Sequence, residues 1–135
     1  MTAQINFLAM LVSSIVVFVL GAVWYSPLLF QKPWLRLLNI NSKTVHPKRM
    51  IILMILNFIM IMVMAFFMNV FIVEMNALTL SKGWLIGFWI GFGFIATTMM
   101  TNYMYEQRPL KLYLIDMMYH LISLALLGLI ISAWP

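Results

Sequence analysis

Met50 through Val73 reads MIILMILNFIMIMVMAFFMNVFIV, a stretch with no charged residue and with Asn57 and Asn69 as its only amides. Coiled into a helix at 1.5 Å per residue, it is long enough to cross a hydrocarbon layer of about 30 Å. The rest of the 135-residue chain cannot bury it, because 65% of all residues are hydrophobic and only 8% are charged. That balance excludes a soluble globular domain and reads as an integral membrane protein.

Working outward, comparable apolar runs cover residues 5–30, 84–105 and 110–134. They are continuous, whereas a transmembrane β-barrel needs alternating segments of about ten residues, so the fold class is all-α, an integral membrane four-helix bundle. Residues 1–135 are expected to form one transmembrane domain, since the connections leave no room for another. Pro47 and Pro109 suit helix starts, where a missing N–H costs little, and Ser81 or Thr79 can cap the third helix. The N-terminal residues lack the positive region of a secretory signal, so the first run is read as a retained span.

Lys32, Arg36, Lys43, Lys48 and Arg49 surround the first loop, Arg108 and Lys111 the third, and Lys82 alone the second. Positive charge stays on the cytoplasmic side, which predicts a multi-pass protein with both termini outside. The net charge of +5 lies in short loops beside apolar runs, where anionic lipid headgroups, not nucleic acid, are the natural partner. Trp24, Tyr25, Trp34, Tyr103, Tyr105 and Tyr113 fall at the same surface as an aromatic belt, with Trp84 and Trp134 at the other. In GAVWYSPLLFQKPW, residues 21–34, Pro27 then bends or ends the first helix and Lys32 meets the headgroups.

Gly83, Gly87 and Gly91 recur at every fourth position of the third run. Helices in lipid associate through close backbone approach, so this stripe is expected to be a helix contact, either with another span of the chain or with a second copy in a homo-oligomer. Methionines Met50, Met54, Met64, Met68 and Met75 share a face of the second helix with Asn57. Thioethers can ligate Cu(I), but without cysteine or a paired Met motif they read as flexible apolar filler. Neither a metal nor a cofactor is expected. Asn57 and Asn69 are expected to hydrogen-bond across helices.

Chemistry can reside in few places. Asp116 lies about 10 Å and His120 about 16 Å into the layer, one turn apart on one face with Ser123 beyond. An ionisable residue at that depth lines a wet path or ties helices together. The stripe either relays protons or holds a solute, or else Asp116 accepts a bond from His120, Tyr25, Arg36 or Arg108 as a clamp. Thr97, Thr98, Thr101 and Asn102 fall at matching depth as candidate neighbours, and Glu106 pairs with Arg108 at the surface. Ser123, His120 and Asp116 do not make a catalytic triad, since all three occupy one helix and no turn supplies oxyanion donors; the chain is read as no enzyme.

Two stretches, NFLAMLVSSIVVFVLGAVWYSPLLFQKPW and GFIATTMMTNYMYEQRPLKLYLIDMMYHLISLALLGLI, resemble the domain of unknown function 1761 family of small bacterial four-span membrane proteins. The residues that carry the resemblance are Gly21, Trp24, Tyr25, Ser26, Pro27, Phe30 and Trp34, then Ala96, Thr97, Thr98, Asn102, Glu106, Arg108, Pro109, Lys111, Tyr119 and His120. The departures are Gln31, where the family usually has glycine, and Asp116, where it usually has asparagine. The resemblance implies the four-span fold and a bacterial inner-membrane location, and it implies no activity. With asparagine usual at position 116, a proton-carrying carboxylate there is not a shared mechanism.

The expectation is therefore a non-enzymatic membrane protein that binds or moves a small solute or ion through a polar cluster of Tyr25, Ser26, Asn102, Glu106, Arg108, Asp116 and His120. The alternative is an accessory or structural membrane subunit, with no transport activity, whose cluster fixes its own fold or a membrane protein partner.

Overall fold

The computed structural model describes residues 4–39 and 46–134. Six α-helices follow in order: α1 (Phe7–Trp24), α2 (Gln31–Leu38), α3 (Pro47–Glu74), α4 (Leu80–Ile90), α5 (Thr97–Tyr105) and α6 (Leu110–Ala133). A π-helical turn, Gly91–Ala96, joins α4 to α5, so that Leu80–Tyr105 is one continuous rod. This rod, α1, α3 and α6 are long and apolar enough to cross a membrane. The protein is a multi-pass helical membrane protein.

Local chemistry sets the helix ends. Asn6 caps α1 by accepting from the Ala9 N–H at 3.0 Å, and its amide donates to the Trp134 carbonyl at 2.8 Å, so the start of α1 and the end of α6 share a membrane face. Pro47 opens α3, as expected, with His46 Nδ1 accepting from the Lys48 N–H. Thr79, not Ser81, caps α4.

The first span is shorter than its apolar run. It ends at Trp24, not near residue 30, because the Ser26 hydroxyl takes the Val23 carbonyl at 2.6 Å while Pro27 cannot donate to an α-helical ladder. The chain then turns and re-forms as α2, a separate amphipathic helix whose Asn39 cap adopts the left-handed conformation with φ 57°. Lys43 and the rest of the first loop lie outside the described residues.

α6 is the central post: every other helical segment packs against it. The core holds Ala9, Met10 and Val17 of α1, Ile61, Ala65, Met68 and Ile72 of α3, and Leu124, Leu127 and Ile131 of α6. Asn69 is 2% exposed among them, with its amide nitrogen unpartnered among the described residues. α3 is buried only from Ile61 onward, and from Met50 to Leu56 every residue is exposed.

The glycine stripe brings α4 onto α6. A Cβ on Gly87 would stand 2.6 Å from the Leu124 carbonyl carbon and 2.8 Å from the Ala125 Cα. Gly83 sits as tightly against Gly128 and Ser132, and Gly91 against Leu121. Of the two partners considered for Gly83, Gly87 and Gly91, another span and a second copy, it is the span α6 of the same chain that fills this face, leaving no room there for a second backbone.

Candidate functional site

Asp116 stands in the second turn of α6, 8% exposed, at the membrane face that carries the basic residues of α2 and the start of α3. Its Oδ1 accepts from the Tyr25 hydroxyl at 2.7 Å and from the Trp34 indole N–H at 3.1 Å. Its Oδ2 accepts from the Tyr103 hydroxyl. All three partners arrive as donors, so the carboxyl group acts purely as an acceptor. Each comes from a different segment: the turn after α1, the short α2, and α5. Asp116 therefore ties three pieces of chain to the central helix.

Aromatic packing closes the arrangement. Tyr25 meets Trp34 at 4.9 Å and the edge of Tyr119 at 5.4 Å between ring centroids. Trp24 leans on Phe30 at 4.7 Å and donates its indole N–H to the Ile115 carbonyl at 3.1 Å. Burial, then the hydrogen bond to Asp116 and its charge, push the Tyr25 hydroxyl well above the ordinary tyrosine range. It stays a donor at any physiological pH.

Tyr103 was not among the expected site residues, and Asn102 was. The cause is the π-helical turn. Two and three turns on from Gly91, an unbroken α-helix would bring Thr98 and Asn102 to the face that meets α6. A π turn takes in one extra residue, which advances the facing positions by one. Tyr103 accordingly points to Asp116, while Thr98 and Asn102 are exposed. The disturbed carbonyls find partners: Tyr113 donates to Ala96 at 2.8 Å, and the Thr97 hydroxyl bonds back to Gly93 at 2.9 Å. Thr101 likewise bonds back to its own helix, to the Thr97 carbonyl at 3.1 Å.

The remaining members of the expected cluster disperse. Ser26 is spent on the turn that ends α1. Glu106 and Arg108 pair at 2.6 Å as expected, both exposed, and the Arg108 guanidinium lies 5.2 Å from the centre of the Tyr103 ring. His120 is half-buried one turn deeper, its ring 5.1 Å from that of Tyr119, and among the described residues no hydrogen bond joins it to Asp116. Ser123 does not extend a relay, since its hydroxyl is turned to the Tyr119 carbonyl at 2.7 Å. Of the four donors considered for Asp116, only Tyr25 reaches it. Trp34, which the sequence reading placed in an aromatic belt, joins it instead.

A group of three or more His, Cys, Asp or Glu side chains able to hold a metal ion is absent among the described residues. A family model described as a protein of unknown function, DUF1761, matches residues 8–132. No curated protein and no solved structure matches the chain.

Proposed function

The chain belongs to the DUF1761 family, proteins of unknown function, and from that premise we propose a non-enzymatic accessory or structural subunit of the bacterial inner membrane. This reverses the order of the two readings drawn from the sequence. One observation carries the reversal: the intramembrane carboxyl group that a solute or proton path would use is buried and occupied by Tyr25, Trp34 and Tyr103. A group so occupied orders its surroundings. What it orders is a surface, with α2 held by Trp34 and with Lys32 and Arg36 of α2 and Arg108 after α5 all exposed. Such a surface suits anionic headgroups or an acidic segment of a partner protein.

The second reading, binding or movement of a small solute or ion, now rests on His120. Its imidazole is half-buried in the apolar layer, and among the described residues no hydrogen bond ties it to Asp116, so it is the polar group of the stripe that the clasp does not use. Reconstitution separates the two. Purified protein in liposomes is expected to pass protons, sodium and potassium no faster than empty vesicles. Flux that disappears in His120→Gln would restore the solute reading to first place.

A further inference from the structure

α3 parts from the bundle halfway along its length. Ile61, Ala65, Met68 and Ile72 make its buried stripe. Toward the start of the helix the same stripe continues through Asn57, Met54 and Met50, all exposed. Only Phe58 is drawn inward there, edge-on to Phe18 at 5.7 Å. Asn57 thus carries a carboxamide on a bare half-helix, about 10 Å along from Met50, where the apolar run begins, at 1.5 Å per residue. In a hydrocarbon layer of about 30 Å that is about a third of the way across. Lipid tails offer an amide neither donor nor acceptor, and the side chain is too short to reach the headgroups. Among the described residues no hydrogen bond reaches it.

We propose that this half of α3 is the interface of a symmetric homodimer in which the Asn57 carboxamides of two copies bond to each other. Copies inserted in the same orientation are related by an axis along the membrane normal, so a residue near that axis meets its own counterpart at its own depth. A carboxamide holds both donor and acceptor and is complementary to itself, as an ammonium or a carboxylate is not. Amides are an established adhesive between helices in lipid, and Met50 and Met54 supply flexible flanks that repack around a crossing. The glycine face cannot serve, being filled by α6. This interface is separate from the Asp116 clasp, so either proposal can fail while the other stands.

The full chain in liposomes tests it, helped by the absence of native cysteine. Met54→Cys, treated with copper phenanthroline, is expected to form a disulfide-linked dimer at least tenfold more efficiently than Leu85→Cys, an exposed position on α4. Adding Asn57→Leu to Met54→Cys should lower that yield at least tenfold, with helicity by circular dichroism unchanged. Equal yields at Met54 and Leu85, or a yield indifferent to Asn57→Leu, overturn the proposal. So does a chain that stays monomeric at every lipid dilution, which would mean that lipid or a different protein covers α3. Should Asn57→Leu fail to fold, the comparison between the two cysteine positions decides alone.

Discussion

The indole of Trp34 and the carboxyl group of Asp116 are 82 positions apart in the chain and 3.1 Å apart in space. Trp34 lies on a helix of eight residues, too short to be stable alone in water, so this bond and the Tyr25 contact are what seat it. Trp34→Phe keeps the ring and removes the donor. It is expected to lower stability by about 1.5–3 kcal/mol, the range for a hydrogen bond to a charged group. Thermal unfolding in detergent measures this, and proteolysis after Lys32 or Arg36 should accelerate as α2 loosens.

Substitutions at position 116 should rank by what they leave for the three donors. Asp116→Asn keeps an acceptor for Tyr25 and Trp34, and the Tyr103 hydroxyl can rotate to accept from the new amide, so stability should change by less than about 1 kcal/mol. Asp116→Leu strands three half-buried donors at once and should cost about 3 kcal/mol. Chemical or thermal denaturation of both variants provides the comparison; equal losses would mean that the acceptor is not what holds the segments.

Alkaline pH should weaken the same clasp. Tyr25 ionises far less readily folded than unfolded, so its contribution is fully present below the unfolded value of about 10 and is lost as pH rises above it. Stability of the parent protein is expected to fall from about pH 10 upward more steeply than that of Tyr25→Phe. Parallel curves for the two proteins would contradict the assignment.

The glycines offer a paired test. Gly87→Ile drives a branched side chain into the α6 backbone and should cost at least about 1–3 kcal/mol. Gly93 meets nothing within 4 Å, so Gly93→Ala should be neutral or stabilising by up to about 1 kcal/mol. Melting temperatures in one detergent suffice; similar behaviour of the two variants would remove the distinction between packed and open glycines.

Orientation follows from charge alone and is checked by labelling intact cells. An impermeant thiol reagent is expected to modify Ser81→Cys, in the first turn of α4, and to spare Lys32→Cys on α2. The reverse pattern overturns the assignment of the basic face to the cytoplasm.

The four spans were legible because lipid imposes one simple demand, an uninterrupted apolar run, and Met50–Val73 meets it without a break. Asp116 and its link to Tyr25 were legible for the converse reason, since an acid in such a run must find partners. Trp34 was not, because α2 is set off by a turn that only the Ser26 hydroxyl and Pro27 announce, and a tryptophan near lysine and arginine looks like any interfacial residue. Asn102 was chosen for its depth in the layer, but depth does not fix which way a residue faces, and the π turn defeats any fixed periodicity. Asn57 and Asn69 share a helix and a chemistry, yet one is exposed and the other buried, because the lean of α3 is a tertiary outcome.

That turn also bears on how such a chain changes over generations. Loss of a single codon between Gly91 and Ala96 would let α4 and α5 run on as ordinary helix, and because the π turn is what absorbs the extra residue, the glycines would stay seated on α6 and the residues after the deletion would keep their faces. The Tyr103 hydroxyl would then still face position 116, three ordinary helical turns on from Gly91. The same one-residue gap placed after the turn, before Tyr103, would rotate the phenol by about 100° away from the residue on which three segments converge, so two deletions that look alike in a comparison of sequences differ in consequence.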